Sequence, residues 1–241
     1  MPYQVLLFGA IVGLGSFVQG VTGFGFALLS VGLLSLVADV YWAVPIVAVL
    51  APVQVAYNCW LHRAGVSMRE TIPVVIAAAV ALPIGVTVLY DIPPHLVRPV
   101  LGVVIIGLTI VPKLFLGFGG RVLGTMPFKL LFGVLAGLVG GATAAPGPII
   151  ISYLYASRSD RHQAKSDGQL ALTLLGTMIF GLHMLRSPEP TAQLLYAAPL
   201  IPVVLVATLG GMRVSTRLPN RQIRILTDML LLAVGGYLLF S

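Results

Sequence analysis

Residues 4–37 run for 34 positions without one charged side chain. A membrane-crossing helix needs about 20 apolar residues, so this run is too long for one ordinary span and too short for two. Near its middle lies QGVTGFG (19–25), where glycines and two polar side chains stand at a depth that lipid should occupy. Lipid satisfies no backbone polar group, so non-helical chain survives there only when it is buried in protein or lines a watery cavity. The segment is therefore one tilted, broken helix, or a hairpin of two half-helices that returns to its starting side. Residues 129–156, 28 positions interrupted by GATAAPGP (141–148), pose the same question.

Composition makes lipid the solvent. Apolar residues are 58% of the chain, charged residues 9%, and mean hydropathy is +1.03. A soluble domain carries about a quarter charged residues. The expectation is an all-α polytopic membrane protein whose surface partner is the lipid bilayer. Ordinary spans fit residues 43–61, 71–90, 97–112, 169–185, 193–212 and 225–240. The first ten residues, MPYQVLLFGA, lack the basic start of a cleavable signal and read as a retained membrane segment.

The charge of +7 does not point to nucleic acid, because the cations are scattered between apolar segments with no basic face. They report orientation instead. If both long segments are hairpins, Arg63, Arg69, Lys113, Arg121, Lys129, Arg158, Arg161, Lys165, Arg213, Arg217, Arg221 and Arg224 share one side. That is 12 of the 14 cations, with Arg98 and Arg186 opposite. If each segment crosses once, the split is 8 to 6. The positive-inside rule selects the hairpins, placing the cation-rich side in the cytoplasm and both termini outside a cell (inner) membrane.

The hairpin motifs also resemble each other. At an offset of 124, Gly9, Gly13 and Gly23 fall on Gly133, Gly137 and Gly147. At 126, Gly85, Pro93 and Arg98 fall on Gly211, Pro219 and Arg224. The reading is two membrane repeats, 1–120 and 121–241, joined near 117–124 and inverted relative to each other. Each is a glycine-broken helical hairpin followed by three transmembrane helices. Glycine-interrupted segments at matching places in two halves point to a transporter's binding site.

The breaks suit an anion. A helix that restarts inside the membrane presents unpaired N–H groups and about half a positive charge. The candidate substrate-binding residues are Gln19, Thr22, Gly23, Phe24 and Gly25 in the first break, and Thr143, Pro146, Gly147 and Pro148 in the second. Gln54 and Asn58, four apart on one helix face, either offer amides to the substrate or bond another helix. Gly9, Gly13, Gly133 and Gly137 read as close-packing glycines. His183 reads as interfacial, and Asp228 as the ion-pair partner of Arg224.

Carboxylates are informative by position. Of seven, Asp39, Glu70, Asp91, Asp160, Asp167 and Glu189 fall in loops or at span ends and only Asp228 lies well inside a span, which argues against a cation substrate and against proton coupling. No catalytic residue, cofactor or metal is expected: GxSxG, GxxxxGK[ST] and HExxH motifs are absent, and the single Cys59 excludes an intrachain disulfide or a cysteine-based metal cluster.

At these residues the chain resembles the sulfite exporter TauE/SafE family, also called the toluene-sulfonate uptake permeases. QGVTGFGFALLSV is similar to the family's first-half signature and GATAAPGPIIISYL to its second. The ending LPNRQIRILTDMLLLAVGGYLL is similar to its last span. Gly32 stands where many members carry proline. The resemblance implies transport, often export, of a small sulfur-containing anion such as sulfite, a sulfonate or sulfoacetate. By position, Gln19, Thr22, Gly23, Thr143, Gly147 and Pro148 match its central motifs. A homodimer is compatible with this reading. The rivals are an anion channel and a non-transporting membrane subunit.

Overall fold

The computed structural model describes residues 2–61, 67–115, 123–157, 160–215 and 220–240, and among these it is helical without strands. The helices are α1 (Pro2–Thr22), α2 (Phe26–Val37), α3 (Val40–Leu61), α4 (Met68–Asp91), α5 (Pro94–Phe115), α6 (Met126–Thr143), α7 (Gly147–Ser157), α8 (Arg161–Arg186), α9 (Pro190–Ala197), α10 (Ile201–Ser215) and α11 (Asn220–Phe240). Five stretches are long and apolar enough to cross a bilayer: Val5–Thr22, Thr71–Asp91, Met126–Thr143, Gln163–Arg186 and Pro190–Ser215. The protein is a polytopic, all-helical membrane protein. Five of the six ordinary spans read from the sequence each lie within one of these helices, and 193–212 runs through α9, a 3-10 turn at Ala198–Leu200 and α10. Most of the expected connector, 117–122, lies outside the described residues.

The two ends of the bundle are chemically distinct. At the upper end an aromatic belt gathers: Tyr41 stacks on Tyr90, and Tyr196 meets both Trp42 and Phe8 edge-on. Such amphipathic rings settle at a membrane–water interface. The Tyr41 hydroxyl donates to the Ile92 carbonyl at 2.9 Å, which brings the start of α3 to the end of α4. At the lower end the Ser67 amide, just before α4, donates to Asp167 Oδ1 at 2.6 Å. Thus α4 and α8 climb from lower end to upper.

Glycine sets which helices meet. α6 lies beside α4 in the same direction, with Gly133 at Val74, Gly137 at Ala78 and Gly141 at Leu82. A Cβ on any of the three would land on a backbone carbonyl of α4, and one on Gly85 would land on the Leu138 carbonyl. α1 runs beside α10 in the same way: Gly9 meets Leu200, Gly13 meets Val203 and Gly20 meets Thr208. Because α4 climbs and α9–α10 descends, α1 and α6 enter from opposite ends. α5 and α11 cross antiparallel where Gly102 meets Gly235.

Both long segments fold as hairpins. α2 returns along α1, where Gly15 faces Ser30 and Phe26. α7 returns toward the lower end, where the Tyr153 hydroxyl donates to the Leu123 carbonyl at 3.0 Å. The arms are not equal halves, however. The first arms are 21 and 18 residues and the second arms 12 and 11. At 1.5 Å per residue a 12-residue arm reaches about 18 Å, a little over half the bilayer core. Each hairpin is a long first arm with a short second arm that turns back along it. The asymmetry arises because the glycine-rich stretches also pack the first arms, so the reversal comes only at their ends.

Candidate functional site

The first tip is built by two left-handed glycines. α1 ends at Thr22, and the Gly23 amide closes the last turn on the Gln19 carbonyl at 2.7 Å. Gly23 (φ 87°) and Gly25 (φ 109°) take backbone conformations that cost a side-chain-bearing residue about 1–2 kcal/mol. Gln19 then reaches across the turn, and its Oε1 accepts the Phe26 amide at 2.9 Å, capping the start of α2. Its Nε2 is buried and bonds nothing among the described residues. The Thr22 hydroxyl stands 2.9 Å from the Val18 carbonyl and 2.6 Å from that of Phe24. From α8, Gln169 Nε2 donates to the Gly23 carbonyl at 3.0 Å.

The second tip makes the same reversal with different residues. α6 ends at Thr143, whose hydroxyl donates to the Val139 carbonyl at 2.8 Å. Ala144 follows at φ 55°, the one positive-φ residue other than glycine among those described. Pro146 precedes α7, which opens with Gly147 and Pro148; a proline costs nothing there because a first-turn amide has no helical partner. Gly140 makes room for Pro146, since a Cβ there would lie 2.7 Å from the proline's own Cβ. His183 Nε2, from α8, donates to the Gly141 carbonyl at 2.9 Å.

The two tips meet. Between them is a cavity of about 30 Å³, walled by 24–28 of one hairpin and 144–148 of the other. Ala51 and Val55 of α3 and Leu172 and Gly176 of α8 complete it. Among the described residues no charged side chain lines it, and Gln19 is the single polar side chain in its wall. α2 and α7 both begin on it, approaching from opposite ends of the bundle.

A model of the sulfite exporter TauE/SafE family matches residues 6–238. The chain belongs to this family. Its members are transporters rather than enzymes, so this TauE/SafE protein is a multi-pass membrane transporter. No curated protein and no solved structure matches the chain.

Within the TauE/SafE chain, six of the residues singled out from sequence line the cavity: Gln19, Phe24, Gly25, Pro146, Gly147 and Pro148. Thr22, Gly23 and Thr143 lie just behind it, engaged with the backbone of their own hairpins. Gln54 is fully buried and donates to Thr208 Oγ1 at 3.2 Å, which ties α3 to α10. The side chain of Asn58 lies outside those described.

His183 lies near the upper end of α8, as read, but it is fully buried, held between Gly141 and the Tyr90 hydroxyl. Asp167, near the lower end of α8, is fully buried as well. Gly20, within the first motif, belongs to the packing of α1 on α10, because a Cβ there would strike the Thr208 carbonyl. Sequence reasoning also missed Gln169, which is buried beside the first tip. Its place at the end of the polar stretch 158–169 hid it, and no local pattern marks it.

Proposed function

We propose that this protein carries a small sulfur-containing anion (sulfite, a sulfonate or sulfoacetate) across the cell inner membrane through the cavity between its hairpin tips. The observation that carries the reading is the convergence of two helix N-termini on a buried space. There Gln19 offers a free amide and no carboxylate repels the guest. Each N-terminus contributes about half a positive charge. The family's description as sulfite exporters supplies the chemical class.

Both hairpin tips wall this cavity, so an anion that crosses it parts the hairpins, as a carrier requires and an open pore does not. Two inverted repeats, 1–120 and 121–241, provide two such states. The contacts support that division. Gly20 meets Thr208 and Gly211 as Gly141 meets Leu82 and Gly85. These correspondences put the hairpin offset at 121, pairing Phe26 with Gly147 and Gly23 with Ala144. The offset of 124 read from glycine spacing is three residues out of register there. Pro2, Asp39 and Phe240 lie at the upper end, and Lys129 and Arg213 at the lower. The upper end faces outward. In a background lacking Cys59, Asp39→Cys reacts with an external impermeant thiol reagent and Arg213→Cys does not; the reverse pattern overturns this orientation.

Movement is driven by voltage. A negative-inside potential supplies about 2.3 kcal/mol per charge per 100 mV to an anion that leaves. Asp167 supports a second reading, proton coupling, because intramembrane carboxylates commonly carry protons. Purified protein in liposomes decides between them. A potassium-diffusion potential drives methanesulfonate or sulfite toward the positive side several-fold faster, and Asp167→Asn keeps that response. Voltage-insensitive flux that follows a pH gradient and vanishes in Asp167→Asn establishes the second reading. Absence of flux for every sulfur anion tried rejects both.

A further inference from the structure

Each hairpin aims two opposite helix ends at the same place. The second arm brings its positive N-terminus to the cavity, and the first arm brings its negative C-terminus, about half a unit charge of unpaired carbonyls. Left alone, the two would largely cancel, and a reversing chain would not favour an anion.

One helix intervenes in both hairpins. Gln169 of α8 donates its amide to the Gly23 carbonyl at 3.0 Å, at the end of α1. His183 of α8 stands 2.9 Å from the Gly141 carbonyl, in the last turn of α6. A carbonyl can only accept, so the imidazole carries its proton on Nε2. Nδ1 is left to face the Tyr90 hydroxyl at 3.3 Å. Both side chains are buried. They stand 14 residues apart, about 21 Å along the helix, and the residues of α8 that wall the cavity, Leu172 and Gly176, lie between them.

We propose that Gln169 and His183 are specificity-determining positioning residues of the anion site. Each occupies a carbonyl at the negative end of a hairpin's first arm, so the cavity between them is governed by the N-termini of α2 and α7. The proposal rests on the anion reading above and adds the part of α8 that makes it electrostatically consistent.

The test is binding of methanesulfonate, whose charge is fixed across the working pH range, to detergent-purified protein by titration calorimetry. Gln169→Leu weakens binding about tenfold, the scale of one uncapped polar group beside a charge. His183→Phe weakens it comparably, and His183→Gln, which restores a donor, recovers most of that loss. Gln169→Glu is the same size and decides the matter even if the leucine variant does not fold. Protonated, it can still donate; ionised, it faces both the carbonyl and the guest with negative charge. Its deficit relative to wild type therefore widens as pH rises from about 5 to 8. Equal affinity of wild type, Gln169→Leu and Gln169→Glu at every pH overturns the proposal. Wild-type protein that binds neither methanesulfonate nor sulfite overturns the anion reading itself.

Discussion

The two hairpin tips do one job with opposite materials. The first turns on Gly23 and Gly25, and Gln19 bridges the gap by capping the Phe26 amide. At the register set by the contacts, the counterpart of Gln19 is Gly140, which has no side chain and instead accommodates Pro146. One tip is held by a hydrogen bond from the Phe26 amide to the Gln19 side-chain oxygen, the other by a proline ring seated on a glycine. The difference teaches where recognition resides. Both tips bring a helix N-terminus, but the cavity's polar side chain comes from the first alone. The second is a stiff apolar wall against which the first works.

The largest effect should come from removing that asymmetry. Gln19→Leu deletes the amide that faces the cavity and leaves the Phe26 N–H without its cap. A hydrogen bond to a charged partner is worth about 1.5–3 kcal/mol, so methanesulfonate binding should fall by about 10- to 150-fold. Calorimetry on purified protein measures it. A loss no greater than that caused by substitutions at the second tip would mean that recognition is shared equally between the tips.

Gly147 probes the apolar wall. A Cβ there would make ordinary contacts, 3.8 Å from Leu172 and 3.9 Å from Phe24, so Gly147→Ala should fold. Its methyl would nonetheless take up room in a cavity of about 30 Å³. We expect transport to fall about tenfold, the scale of a methyl-sized misfit in a tight pocket, with the melting temperature unchanged. Equal loss of folded protein and of flux would assign Gly147 to packing.

Gly140→Ala sharpens the comparison from the side of stability. The new Cβ would lie 2.7 Å from the Pro146 Cβ, where neither ring nor helix can yield cheaply. Overpacking of this kind costs about 1–3 kcal/mol. Thermal unfolding should report it, while the same substitution at Gln19 should act mainly on binding.

These contrasts also explain what the sequence could and could not tell. The uncharged run 4–37 and the sidedness of the cations fix helices, hairpins and the approximate place of each break, because lipid leaves few alternatives. Gly20 and Gly23 look alike in sequence, yet one exists for backbone contact with α10 and the other for a positive φ. The same ambiguity produced the three-residue register error, since the positive-φ Gly23 was matched to Gly147, which opens α7, and the packing Gly20 went unmatched to Gly141. Gln169 was harder still. Its importance depends on which carbonyl it meets 146 residues away, and no local pattern encodes that.

The smallest and cleanest contrast is between Gly23 and its counterpart Ala144. Both sit just past a first arm at positive φ, 87° and 55°. A Cβ on Gly23 meets nothing within 4 Å, so Gly23→Ala introduces backbone strain without a clash. That strain is about 1–2 kcal/mol, offset in part by about 0.4–1 kcal/mol because the unfolded chain loses freedom. Net destabilisation near 1 kcal/mol should appear in denaturant or thermal unfolding. Ala144→Gly runs the argument backwards: relieved strain and added unfolded-state freedom nearly cancel, so its stability should stay within about 0.5 kcal/mol of wild type. If Gly23→Ala were neutral and Ala144→Gly strongly stabilising, the first tip would be the relaxed one and the second the strained one. Parting of the tips would then have to begin from the proline side.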